Sequence, residues 1–288
     1  MPTRFDHAVI AVRDLERAIQ RFQHLGFDAQ PGGRHTGRGT MNALIRFGLD
    51  YVELLSVYDE AEARRAGWGA TILDMLNGKE AALIGYALAT TTLDHDAELF
   101  KGTEKEFPLP NAMQRKRPDG SQLSWRTLSP GGNSWGRPWP FLIQWDAPDE
   151  QRLRLDLPGT HANGATGWVH VDVATHNLES AIDIYQNQLG LTLLKQDTAF
   201  HVAARRATFG LGKGTISLFA PDGEELVQQI LTEKGEGPYA LSFSVKNADH
   251  TLAFLENREI NCTYKSAGFG TIMLDPAAAL GVRINFVG

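Results

Sequence analysis

Glu53 stands between Tyr51, Val52, Leu54 and Leu55. A carboxylate in so apolar a run is costly to bury without a partner. Either it meets a proton, a cation or a metal inside the protein, or the two-residue period of a strand turns it to solvent and leaves Val52 and Leu54 inward. His7 opens another apolar run, His7-Ala8-Val9-Ile10-Ala11-Val12. An imidazole so placed serves as ligand, as proton carrier or as a hydrogen-bonded core residue.

Between these two residues lies Gly32-Gly33-Arg34-His35-Thr36-Gly37-Arg38-Gly39. Its amides and guanidinium groups suit a carboxylate or phosphate. It lacks the GxxxxGK[ST] pattern of a nucleotide loop, and a flexible solvated connection is the competing reading. Trp135 and Trp139, among Pro, Gly and Asn, could wall a pocket for a flat ligand or cover a barrel edge. Gln114-Arg115-Lys116-Arg117 reads as a solvated turn, because it has no interleaved aromatic residues.

The elements that position these residues announce themselves by repetition. HAVIAVRDLERAIQRF, residues 7–22, returns without a gap as HVDVATHNLESAIDIY, residues 170–185. Each copy passes from strand-like alternation to the spacing of an amphipathic helix. Asp14 and Asn177 stand at the helix starts and Gly26 and Gly190 at the stops. Strand-like segments follow, 42–47 and 51–57 in the first copy, 199–209 and 215–219 in the second. Two weaker copies begin at Gly85-Tyr86-Ala87-Leu88-Ala89 and at 240–245, with helices around 94–100 and 252–255, and close at 141–145 and 282–286. Four units result, near 4–57, 82–146, 166–220 and 237–288. Residues 59–76 are expected to form a surface helix.

Composition sets limits. The 288 residues are 42% hydrophobic and 22% charged, the balance of a folded protein with room for two cores. Asp and Glu number 34 against 28 Lys and Arg, a net charge of −6, which disfavours nucleic acid and anionic membrane as partners. Cys262 is the only cysteine, so neither an intrachain disulfide nor a cysteine-rich zinc site can form. No apolar run approaches a membrane span of roughly 20 residues, and Asp6, His7 and Arg13 interrupt the start where a signal peptide needs an apolar core. A cytoplasmic location is the expectation.

Asp6-His7 at a strand start, Asn42-Ala43-Leu44 with the Tyr51 to Leu55 run, and Asp275-Pro276 before Arg283-Ile284-Asn285 together resemble the vicinal oxygen chelate superfamily and its glyoxalase-like domain family. The resemblance spans nearly the whole chain. It implies an α+β fold of four βαβββ units, paired into two tandem half-open barrels over 1–146 and 166–288 with a linker at 147–165. It also implies one divalent metal, such as zinc, manganese, nickel or iron, at a barrel centre.

By position, the first barrel offers His7, Glu53 and Gln144 as ligands, with Gly85 as a vacancy; such a mixed nitrogen and oxygen set does not suit soft copper. Glu53 doubles as candidate catalytic base, and His35, Asn42, Arg46, Gln144, Trp135 and Trp139 are the expected ligand contacts. The second barrel offers His170, Ser217, Ala240 and Asn285, too few donors for a ring-cleaving dioxygenase, and is expected to be structural. The resemblance implies a lyase or isomerase acting on a compact oxygen-bearing metabolite, the protein alone or as a homodimer. Its alternative is a metal-free ligand-sequestering protein of the drug-resistance type.

Overall fold

The structure is a computed structural model that describes every residue except 68, 104, 107–109, 117–119, 121 and 267–269. The first expected unit is β1 (Arg4–Val12), α1 (Leu15–His24), β2 (Ala29–His35), β3 (Thr40–Arg46) and β4 (Tyr51–Val57). Two short helices, α2 (Glu60–Arg65) and α3 (Gly69–Met75), lead to the second unit: β5 (Ala81–Ala89), α4 (Leu93–Glu98), β6 (Asn111–Lys116), β7 (Gln122–Leu128) and β8 (Phe141–Trp145). These eight strands form one sheet in the order β2-β3-β4-β1-β5-β8-β7-β6. Units one and two join through the antiparallel β1–β5 pair.

Helix α5 (Asp149–Leu155) leads to the third unit, β9 (Ala165–Ala174), α6 (Leu178–Asp183), β10 (Thr192–Ala199), β11 (Ala204–Leu211) and β12 (Gly214–Pro221). Then come α7 (Leu226–Lys234) and the fourth unit, β13 (Gly237–Val245), α8 (Ala248–Glu256), β14 (Cys262–Lys265), β15 (Thr271–Leu274) and β16 (Arg283–Val287). The second sheet repeats the order of the first, β10-β11-β12-β9-β13-β16-β15-β14. The fold is therefore α+β, two curled eight-stranded sheets built from tandem βαβββ units. No helix among the described residues is long and apolar enough to cross a membrane.

The repeat is capped as its sequence requires. Asp14 accepts a hydrogen bond from the Arg17 amide and Asn177 one from that of Ser180. Gly26 ends α1 with φ +86°, and a Cβ there would lie 2.6 Å from the Phe254 ring, so glycine serves both the turn and the close approach of the two halves.

Each sheet buries both faces, which explains why β1 and β5 read as almost continuous apolar runs. Ala8, Ile10 and Val12 belong to a core shared by both halves, where Phe27 lies 5.0 Å from Phe243 and 5.7 Å from Phe286 between ring centres. Val9 and Ala11 belong instead to the concave interior of the first sheet. In the second sheet the corresponding hollow is filled by α7, whose Val227, Ile230 and Leu231 pack on Ala174, Phe219 and Tyr239.

The structure departs from the sequence expectation at two places. The single helix over 59–76 is two helices, broken at Gly67, where φ is +82°. Gln114, Arg115 and Lys116 are not a solvated turn but the end of β6, paired with β7, and Arg115 is buried; Arg117 lies outside the described residues.

Candidate functional site

β1 carries a β-bulge between Phe5 and His7. The extra residue breaks the alternation, so Phe5 packs outward against Trp168 while His7 turns into the concave side of the first sheet. The residue accommodated there, Asp6, is fully buried and lies behind His7. Asp6 Oδ1 is 2.8 Å from His7 Nδ1, and its Oδ2 accepts hydrogen bonds from Trp145 Nε1 at 2.9 Å and Arg4 at 3.1 Å. The buried guanidinium of Arg152 lies 3.5 Å from the same carboxylate and 3.9 Å from the Trp145 ring centre.

Burial alone would raise the Asp6 pKa, but the His7 hydrogen bond and the charges of His7, Arg152 and Arg4 prevail and hold it at about 2. An ionised carboxylate only accepts hydrogen bonds, so His7 donates from Nδ1 and presents Nε2 to the cleft. The ring also stacks on Tyr51, 4.8 Å between centres and 10° from parallel.

Glu53 reaches the same space from β4, which runs parallel to β1. Its Oε2 lies 3.9 Å from His7 Nε2, and its Oε1 accepts a 2.6 Å hydrogen bond from Asn42 Nδ2. The carboxylate is thus turned inward, while Val52 and Leu54 face the core between the sheets. His35 Nε2 is 3.7 Å from Glu53 and its Nδ1 is 2.9 Å from Thr40 Oγ1. Burial lowers the His35 pKa, with Arg115 adding to the effect against the pull of Glu53, so this ring is held neutral. Arg115 Nη1 donates to Asn42 Oδ1 at 3.4 Å, which links guanidinium, amide and carboxylate in one chain.

Apolar rings wall the rest: Trp125, Trp135, Phe141 and Trp145, with Met113 and Ile143. The cavity is narrow, about 60 Å³. Gly85 is no vacancy, because a Cβ there would lie 2.7 Å from the Ser134 carbonyl and 2.9 Å from the Trp135 ring; the 129–139 segment folds into the place.

Of the residues expected from sequence, His7, His35, Asn42, Glu53 and Trp135 converge. Gln144 does not: β8 turns Phe141, Ile143 and Trp145 inward and Gln144 outward, where its Oε1 accepts from the Leu93 amide at 2.9 Å and so caps α4. Arg46 pairs with Asp156 at 3.1 Å, and Trp139 donates to the Pro130 carbonyl, both away from the cleft. Sequence reasoning missed Arg115 and Asp6.

A model of the glyoxalase-like domain matches residues 5–186, more than half of the chain. The chain belongs to the glyoxalase-like domain family. A second model, for the glyoxalase/bleomycin resistance protein/dioxygenase superfamily, matches residues 169–272 of this glyoxalase-like protein. No curated protein matches it. Among solved structures, a hypothetical protein from Staphylococcus aureus is similar over 98% of both chains at 15% identity, with a TM-score of 0.69, which shows a common fold. Methylmalonyl-CoA epimerase from Mycobacterium tuberculosis is similar over 43% of this chain and 88% of its own, at 25% identity and a TM-score of 0.39.

Glyoxalase-like proteins often hold a divalent metal at the barrel centre, and the donor set here fits that arrangement poorly. The β5–β8 register makes Ala87 and Ile143 the counterparts of His7 and Glu53 in the second unit, so its half of the ligand set is hydrocarbon. Among the described residues no three His, Cys, Asp or Glu side chains are grouped to hold an ion. In the second barrel His170 is engaged on both nitrogens, by Thr215 at 2.6 Å and Asp172 at 2.7 Å.

Proposed function

We propose that the cleft of the first barrel binds a compact oxygen-bearing metabolite and moves a proton next to its carbonyl group, an isomerase or lyase step. The observation that carries this reading is the inward pair His7 Nε2 and Glu53 Oε2, 3.9 Å apart at the floor of an aromatic cleft. Two proton-transfer groups so placed can take a proton from one face of a small carbon acid and return it at another. Asp6 fixes the tautomer of His7 and Asn42 fixes the carboxylate of Glu53. Arg115, buried beside them, supplies positive charge for the enolate oxygen that forms when the proton leaves. The hydrocarbon half of the barrel keeps water from competing.

The test is a panel of short 2-oxo and 2-hydroxy acids and their esters, incubated with the protein in D2O and followed by NMR. Deuterium appears at the carbon next to the carbonyl of at least one member, and Glu53→Gln suppresses it. The second reading, sequestration of a ligand without chemistry, draws on the four aromatic walls, which suit stacking on a flat molecule. A rise in melting temperature with a panel member that never exchanges deuterium selects that reading.

A further inference from the structure

The two halves enclose a second cavity, about 150 Å³, that shares no lining residue with the His7–Glu53 cleft. Three cations on its lining come from three elements: Lys79 ahead of β5, Lys234 at the end of α7, and Arg283 at the start of β16. Lys234 Nζ donates to the Pro238 carbonyl at 2.6 Å and Lys79 Nζ to the Glu233 carbonyl at 3.3 Å. Each ammonium has three N–H groups, so most of their donors are unspent. Among the described residues the Arg283 guanidinium and the Tyr239 hydroxyl make no hydrogen bond, and Arg283 no ion pair. The only carboxylate on the lining is that of Glu233, which is exposed. Ile230, Leu83 and Val282 supply apolar wall.

Three half-buried cations gathered around one space repel one another, and the one carboxylate on the lining, exposed Glu233, offsets this only in part. The consequence shows on Lys234, whose pKa falls to about 7 through burial first and then through the charges of Lys79 and Arg283. A bound anion would reverse all of these penalties and tie the two halves together.

We propose that this cavity is a binding site for a small oxyanion, a phosphate or the phosphate of a phosphomonoester, held by Lys79, Lys234 and Arg283. Arg283 presents the planar fork suited to two phosphate oxygens, Lys79 and Lys234 add point charges, and the Tyr239 hydroxyl is a further donor. Because the walls come from both halves, occupancy favours their packed arrangement.

The experiment is calorimetric titration of the full chain with inorganic phosphate and with phenyl phosphate, at constant ionic strength with chloride as the balancing anion. Melting curves are recorded alongside. Saturable binding with a rise in melting temperature is expected. Arg283→Gln and Lys79→Gln should each weaken it at least ten-fold, whereas Glu53→Gln should leave it unchanged. Tighter binding of phenyl phosphate identifies a phosphomonoester, and equal or weaker binding identifies the free ion. Lys79 sits on a loop, so its variant is informative even if Arg283→Gln misfolds. Absence of saturable binding of either anion, or undiminished affinity in Lys79→Gln, overturns the proposal, and neither result bears on the His7–Glu53 cleft.

Discussion

His7 Nε2 and Glu53 Oε2 face each other at 3.9 Å from adjacent parallel strands, each held from behind by a different partner, Asp6 for the imidazole and Asn42 for the carboxylate. Neither partner touches the other's charge. The pair is thus two separately anchored groups with a gap between them, the arrangement needed to pass a proton through a third molecule.

Glu53→Gln keeps the shape and the bond to Asn42 by an amide flip, yet removes the base. Deuterium exchange into a responsive substrate should fall by at least ~100-fold. Melting temperature should change little, and affinity for the substrate, read by titration, should change less than the rate.

Asp6→Asn removes the charge nearest to buried Arg152 and leaves one acceptor oxygen where there were two, so either His7 or the Trp145 and Arg4 donors lose their partner. Stripping one partner from a buried ion cluster costs about 3–5 kcal/mol, measured by urea unfolding at pH 7.

The same carboxylate sets an acid limit. Its folded pKa, about 2, lies below its ordinary 3.8, so the unfolded chain binds the proton more readily. Its contribution, on the order of 2 kcal/mol, is complete above pH 4 and disappears as the pH drops toward 2. Acid unfolding of Asp6→Asn should lack that part of the slope.

Two histidines act in a higher pH window. Burial lowers the pKa of His35, and burial also lowers that of His161, which accepts from the Asp28 amide at 3.0 Å. Both are neutral in the folded protein and take up protons more easily when unfolded. Their contributions are present above pH 6.5 and are lost on acidification below it, and His161→Asn should flatten the decline in melting temperature between pH 6.5 and 5.

Gly32→Ala tests the support of the carboxylate from a distance. A Cβ at residue 32 would lie 2.2 Å from Asn42 Oδ1, so the amide must move away from Glu53 and Arg115. Exchange should fall roughly 10-fold or more, with the loss of positioning dominating over a loss of stability. Thr40→Ala, by comparison, frees only the far nitrogen of His35.

Much of this was written plainly in the chain. The twin segments at 7 and 170 specify strand, helix, caps and stops, because short-range periodicity and capping chemistry determine those features locally. Glu53 was conspicuous because a carboxylate in an apolar strand has few places to go. Gln144 is one residue out of phase with the cleft: Phe141, Ile143 and Trp145 take the inner face of β8, and a shift of one inverts a strand. Arg115 hid in a basic run, although Met113 and Arg115 alternate with Ala112 and Gln114 as a half-buried strand does. The bulge at Asp6 left no mark in the sequence, since it exists only in the pairing of β1 with β5.

The decisive measurement is the rate of deuterium wash-in to a responsive carbonyl substrate, catalysed by protein dialysed against chelator, for the natural chain, Glu53→Gln and His7→Gln. Exchange that survives chelation in the natural chain and drops at least ~100-fold in each variant is the expected result. Exchange that vanishes on chelation and returns with a divalent ion, or that persists in both variants, refutes the paired proton transfer.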